Sequence, residues 1–203
     1  MKSNKIIVFD FCGTLVSLQT ADLFVSYVLQ KKQKYLSYIY SIMLRKFFRN
    51  KKFVLLSLLK GINEEDLNSC AISFAKYLKK YTNNNVFLRL INLLKQEKNQ
   101  IFLISAGYSI YIKHFFKDQN IHIISNDFNF KNDVFQGSIM GKDCFGKRKV
   151  KRLLKVVNNH NFSDKNFLIS ESYSDSLSDK PIFNISKKKF FINKEKIELL
   201  HDF

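Results

Sequence analysis

The 203-residue sequence predicts an α/β fold in which a mainly parallel sheet is flanked by helices and interrupted after its first strand by a helical module. Three observations carry that reading. Ile6 to Phe9 is a short apolar, largely β-branched run that stops on Asp10 and a turn containing Gly13 and Thr14. From Val16 to about Asn85 the apolar residues fall at helical intervals. Beyond Asn85, helix-like and strand-like stretches alternate, as they do in a parallel sheet built from β–α units.

The first stretch, KIIVFDFCGTLV, reads as a buried strand ending in a carboxylate. In an open α/β sheet the carboxyl ends of the strands are where ligands bind, so Asp10 is a site candidate from its position alone. Ala21, Leu23, Phe24, Tyr27, Val28 and Leu29 then mark a helix. Tyr35 to Leu59 continues with Leu36, Ile39, Tyr40, Met43, Leu44, Phe47 and Phe48 at three- and four-residue steps. Between Lys31 and Lys60 there are nine Lys or Arg and no Asp or Glu. Such a basic amphipathic segment fits an anionic membrane surface. It also fits a solvated face on a helix whose apolar side packs inside the module, and this second reading is the favoured one. Gly61 ends the segment. Asn63 offers an N-cap to a helix that opens Glu64-Glu65-Asp66 and carries Leu67, Ala71, Phe74, Ala75 and Leu78 toward Tyr81. Thr82-Asn83-Asn84-Asn85 is a break.

Val86 to Lys98 is expected to be helical, Ile101 to Ile104 a strand ending at Ser105, Ile110 to Lys117 a helix and Ile121 to Ile124 a strand. Phe128 to Met140, with Asn132-Asp133 and Gln136-Gly137, suggests a hairpin attached to the sheet. Lys147 to Val157 reads as a helix and Phe167 to Ser170 as a strand. A polar turn, Tyr173 to Lys180, follows, then Pro181 and a short strand from Ile182 to Ile185. Lys189 to Ile192 suggests an edge strand, and the tail a short helix near Leu200.

Composition narrows the class. With 46 % hydrophobic residues and 21 Phe, a packed core is expected. No run of 18 apolar residues is present, so no spanning helix is expected. Nine residues before Asp10 leave no room for a signal peptide, and Cys12, Cys70 and Cys144 lack CxxC spacing. Free thiols in a reducing cytoplasm are the expectation. The net charge of +17 would favour a phosphorylated substrate, but the general richness in Lys, Asn, Ile and Phe gives it a compositional explanation, and nucleic acid is not the expected partner. His114, His122, His160 and His201 have no metal-site spacing.

Four polar signals lie where an α/β sheet would gather them: Asp10, Ser105, Lys149 at the opening of a helix, and Asp175 with Asp179 after a late strand. Each alone has an ordinary explanation as a cap, a turn or a solvated residue. Together they supply what phosphoryl transfer needs, namely an oxygen nucleophile, a cation, a hydroxyl donor and carboxylates suited to Mg²⁺.

These segments occur in the order of the motifs of the haloacid-dehalogenase-like superfamily, which they resemble. VFDFCGTLV resembles the first motif, IFLISAGYS the second, CFGKRKVKRLL the third and SYSDSLSDKPIF the fourth. The resemblance is closest to the phosphoserine-phosphatase-like branch and spans nearly the whole chain. It implies a Rossmann-like three-layer core from residues 1–15 and 86–203, with a helical cap from residues 16–85. It further implies a Mg²⁺-dependent phosphatase acting on a small phosphorylated metabolite, with Asp10 as nucleophile and Lys149 balancing charge. Lys147 and Lys151 compete with Lys149 for that role. By the same resemblance Ser105 and the backbone N–H groups of Gly13, Ala106 and Gly107 contact phosphate. Asp10, Asp175, Asp179 and the backbone carbonyl of Cys12 ligate the metal, and Thr14 buttresses the loop. Cys12 stands where the family has a second Asp that protonates the leaving group and activates water. A thiol is a poor substitute in both roles. The alternative expectation is therefore a catalytically impaired fold that binds a phosphorylated ligand.

Overall fold

A computed structural model describes residues 5–47, 52–159 and 169–200. The first strand, β1 (Lys5–Phe9), lies near the middle of a six-stranded sheet and shows why its short apolar run is a strand. Its side chains alternate between two separate apolar clusters. Ile7 and Phe9 enter the larger one, and Ile6 and Val8 the smaller one on the opposite face. β2 (Asn99–Tyr108) repeats this, with Ile101 and Leu103 on the first side and Phe102 and Ile104 on the second. A strand buried on both faces reads as a continuous apolar run, as these two do.

The remaining strands are β3 (His122–Asn126), β6 (Ile169–Ser174), β7 (Ser186–Asn193) and β8 (Lys196–Leu200), in the spatial order β3-β2-β1-β6-β7-β8. All neighbours are parallel except β7 and β8. The chain moves outward from β1 through β2 to β3, then returns to place β6 on the other side of β1. That reversal opens a crevice at the carboxyl ends of β1 and β6.

Helices α5 (Asn84–Leu94) and α6 (Ser109–Phe115) cover one face of the sheet, and α7 (Lys147–Asn159) and α8 (Lys180–Phe183) the other, which makes three layers. Between β1 and α5 the chain forms α1 (Thr20–Lys31), α2 (Tyr35–Phe47), α3 (Lys52–Ser57) and α4 (Glu64–Leu78). Its two connections run side by side: Ser17 N–H donates to the Tyr81 carbonyl at 2.9 Å, and Asn83 N–H to the Leu15 carbonyl at 2.9 Å. Asn63 caps α4 by accepting from Asp66 N–H at 2.7 Å, and Asn83 caps α5 by accepting from Val86 N–H at 3.4 Å. The larger apolar cluster continues from the sheet through Phe24 and Phe74 to Tyr111, so the helical insertion and sheet share a core.

Four expectations change. The hairpin β4 (Phe128–Lys131) and β5 (Val134–Ile139) turns at Asn132-Asp133, both with positive φ, but it is a separate two-stranded sheet. It binds the helical insertion instead, through Gly61 N–H to the Phe135 carbonyl and Phe135 N–H to the Ile62 carbonyl. Ile182 to Ile185 is not a strand; Pro181, which lacks an N–H, sits in the first turn of α8. The tail forms β8 rather than a helix, pairing with β7 across a turn at Lys194. The apolar side of α2 does not pack inward: Tyr35, Leu36, Ile39, Tyr40 and Met43 are exposed, while Ser41 is buried against Ser26 of α1. The strand expected from Phe167 begins, in the described residues, at Ile169 and continues to Ser174. Phe48, His160 and His201 lie outside those residues.

Among the described residues no helix is long and apolar enough to cross a membrane. Cys12, Cys70 and Cys144 are free thiols.

Candidate active site

The crevice between β1 and β6 gathers the residues singled out in the sequence. Asp10 follows β1, and its N–H donates to the Tyr173 carbonyl of β6 at 2.9 Å, which fixes its backbone at the strand end. Lys149, in the first turn of α7, reaches across 139 residues of sequence to Asp10 Oδ1 at 2.8 Å. The same Nζ donates to Asp179 Oδ2 at 2.7 Å, where Ser174 Oγ also donates at 2.7 Å. Lys149 is therefore the lysine of this cluster, ahead of Lys147 and Lys151. All three charged groups are buried.

Asp175 is held by Thr14, whose hydroxyl donates to Asp175 Oδ1 at 3.1 Å and accepts from Asp175 N–H at 3.0 Å. This makes Thr14 the tie between the loops after β1 and β6. Gly13 permits their approach. Its φ is +77°, and a Cβ added there would lie 2.0 Å from Asp175 Oδ2.

Ser105 lies inside β2, which continues three residues past the expected end. Its Oγ accepts from Gly107 N–H at 3.0 Å. Gly13 N–H is likewise engaged, with the Val16 carbonyl at 2.7 Å. Cys12 Sγ sits 3.7 Å from Ser105 Oγ and 2.9 Å from Thr20 Oγ1. Thr20 in turn contacts the Tyr111 hydroxyl at 2.7 Å, and that hydroxyl accepts from Tyr108 N–H at 3.1 Å. A buried chain of polar contacts thus links the loop after β1 to α1 and α6. The sequence offers no motif for Thr20 or Tyr111; their partners are 8 and 91 residues away.

A second group escaped the sequence reading. Lys52, the first residue of α3, donates to Asp143 Oδ1 at 2.6 Å and to the Ala106 carbonyl at 2.7 Å. Asn126 at the end of β3 donates to the same two acceptors, at 2.7 and 2.8 Å. Lys52 stands within the run whose charge looks undifferentiated in sequence. Asp10, Cys12, Ser105, Lys149, Asp175 and Asp179 share a cavity of about 610 Å³ with Lys52, Asp143 and residues of α1 and α3.

Burial pushes the Asp10 carboxyl up to about 7; Lys149 opposes this, and the neighbouring charges of Asp179 and Asp175 reinforce it. Burial alone would lower the Lys149 ammonium, but Asp10 and Asp179 together outweigh it and hold the ammonium above the usual lysine range. Burial also raises Asp175, against the hydrogen bond from Thr14. The Cys12 thiol is raised by burial and then by Asp10, so it stays protonated at neutral pH.

Among the described residues no three His, Cys, Asp or Glu side chains form a metal cage by themselves. Asp179 Oδ1 is nevertheless buried with no hydrogen-bond partner, beside a second carboxylate that shares its lysine. An orphaned hard oxygen facing this cluster fits Mg²⁺, which takes few protein ligands and keeps several waters.

Among curated proteins none matches the chain. Among solved structures, a Bordetella pertussis Tohama I protein of unknown function superposes with a TM-score of 0.76 at 19 % identity, over 93 % of this chain and 89 % of that one. Phosphoserine phosphatase in its apo form gives 0.61 at 17 % identity, over 92 % and 85 %. A phosphoserine phosphohydrolase-like protein from Francisella tularensis subsp. tularensis SCHU S4 gives 0.59 at 19 %, over 91 % and 85 %. These likenesses carry the fold. The family model of haloacid dehalogenase-like hydrolases matches residues 7–184, a span that runs from within β1 through the helical insertion to both acids of the late turn, and the chain belongs to that family.

Proposed function

We propose that the protein is a phosphatase for a small phosphorylated metabolite, working through an aspartyl-phosphate on Asp10. The observation that carries this is the buried Lys149 ammonium bridging Asp10 and Asp179 at the floor of the cavity. Lys149 holds Asp10 through Oδ1, and Oδ2 is assigned as the attacking oxygen. In the first step it bonds to phosphorus while the bond from phosphorus to the leaving oxygen breaks. Lys149 and the Ser105 hydroxyl neutralise and hold the phosphoryl oxygens. In the second step water attacks the same phosphorus, the bond to Asp10 breaks, the proton of the water passes to solvent, and inorganic phosphate leaves. Asp10, Asp175, Asp179 and the Cys12 carbonyl are the residues that would hold Mg²⁺, which supplies charge neutralisation of the transferring group when bound.

Cys12 supplies no base for the second step. The Cys12 thiol stays protonated and contacts Thr20 and Ser105, so it orders the loop but removes no proton from water. The leaving oxygen takes its proton from solvent, which favours substrates with good leaving groups. A general acid–base residue is worth roughly 10²–10⁴ in rate. The same observation supports a second reading, a protein that binds a phosphorylated ligand and turns it over negligibly.

One experiment tests both readings. Phosphate release is measured with p-nitrophenyl phosphate and a set of phosphomonoesters in the presence of Mg²⁺, for wild type, Asp10→Asn and Cys12→Asp. Turnover that Asp10→Asn abolishes and Cys12→Asp accelerates supports the slow phosphatase. Turnover unaffected by Asp10→Asn overturns the mechanism, and an inactive wild type rescued by Cys12→Asp selects the binding protein.

A further inference from the structure

Helix α2 is amphipathic in the opposite sense to a helix packed into a core. Its neighbour is α1, and it meets α1 with Ser41, which is buried and lies 3.0 Å from Ser26 Oγ, and with Tyr38. The side chains at three- and four-residue steps on the other side, Tyr35, Leu36, Ile39, Tyr40, Ile42 and Met43, are all exposed, Leu36 to 86 %. Spacing of this kind places them on one contiguous arc, about 140–160° wide at 100° per residue. Six large apolar side chains turned outward over a buried serine form an exposed apolar patch of the kind that marks an interaction surface.

We propose that this face of α2 docks on an anionic lipid surface, lying in the plane of the interface with its apolar arc in the headgroup boundary. Charge selects this occupant. The segment from Lys31 to Lys60 carries nine Lys or Arg and no Asp or Glu. Among the described residues, Lys32 is committed to Asp66 and Lys52 to Asp143. Lys31 and Lys34, at the turn into α2, are exposed, and Arg45, Lys46, Arg49 and Lys51 follow its apolar residues in sequence. Apolar residues bracketed by cations match a surface of lipid tails beneath anionic headgroups. A second copy of the chain fits poorly, because each copy brings a net charge of +17 to the contact. The docking is independent of catalysis, since among the described residues α2 supplies none to the cavity.

Flotation of the full chain with vesicles of phosphatidylcholine alone, and of equal parts phosphatidylcholine and phosphatidylglycerol, tests the assignment. Wild type should float with the anionic vesicles at least about tenfold more than with the neutral ones. Leu36→Ser/Ile39→Ser/Met43→Ser should lose that binding while keeping its far-ultraviolet circular dichroism, because these side chains support no internal packing. Lys31→Glu/Lys34→Glu should weaken binding to anionic vesicles. Absence of binding by wild type, equal binding to both vesicles, or undiminished binding by the triple variant overturns the proposal. So does a dimer in sedimentation equilibrium that the triple variant abolishes without any vesicle binding. Asp10→Asn should float like wild type, so failure of the phosphatase reading leaves this result intact.

Discussion

A single missing Cβ sets how near two loops can come. Gly13 has a φ of +77°, and the space its side chain would need is taken by the Asp175 carboxylate. Gly13→Ala should therefore combine backbone strain of about 1–3 kcal/mol with displacement of Asp175 from Thr14. The expected result is a lower urea midpoint together with turnover reduced at least tenfold; full activity would show that the loop after β6 can shift without consequence. The Gly-Thr pair was visible in sequence as a turn beside a strand-ending acid, and Asp10, Lys149 and Asp179 were legible because each follows or opens a regular element. Lys149 stood out from Lys147 and Lys151 only once α7 had a direction, since residues two apart on a helix point to different sides. Thr20, Tyr111, Lys52 and Asp143 were not legible. Their roles come from contacts between elements far apart in the chain, and nothing in the local residue pattern marks them.

Elements were read most securely where burial dictates the pattern. β1 and β2 touch apolar clusters on both faces, and Asn63 and Asn83 cap the helices that follow them. The misread elements, α8 and β8, are short and lie where tertiary context decides. Ile182 and Phe183 are buried whether strand or helix, and KIELL becomes a strand because β7 offers an open edge beside it. α3 joins the helical insertion to the site through its first residue. Lys52 meets Asp143 with both side chains mostly shielded, and Asn126 then shares the same carboxylate. Lys52→Met should leave Asp143 short of one partner and cost about 1–3 kcal/mol of stability. Urea unfolding should show the loss, and limited proteolysis should show faster cleavage around α3. An unchanged midpoint would mean that the pair is no more than a solvated contact.

At the scale of the whole molecule, the reversal of chain direction beside β1 brings an excess of carboxylates into one buried place, and the fold bears an electrostatic cost there. Asp10 ionises near its ordinary value of 3.8 when unfolded but only at about 7 in the fold, where burial disfavours its charge. The folded chain therefore holds the extra proton between those limits, and the Asp10 contribution to stability falls as pH rises from about 4 to about 7. A divalent cation held by this cluster would bind its ionised form and not the protonated one, so its stabilising effect would have the opposite trend. Thermal unfolding of the metal-free chain with and without millimolar Mg²⁺ should show an increase in Tm of several degrees at pH 8 and little at pH 5. Asp179→Asn, which removes the orphaned Oδ1 charge while keeping a polar group beside Lys149, should abolish the pH 8 increase. An equal Mg²⁺ effect at both pH values, or one that survives in Asp179→Asn, would place the cation elsewhere on the protein. Because the readout is unfolding, the result stands whether or not Cys12 lets the site turn over.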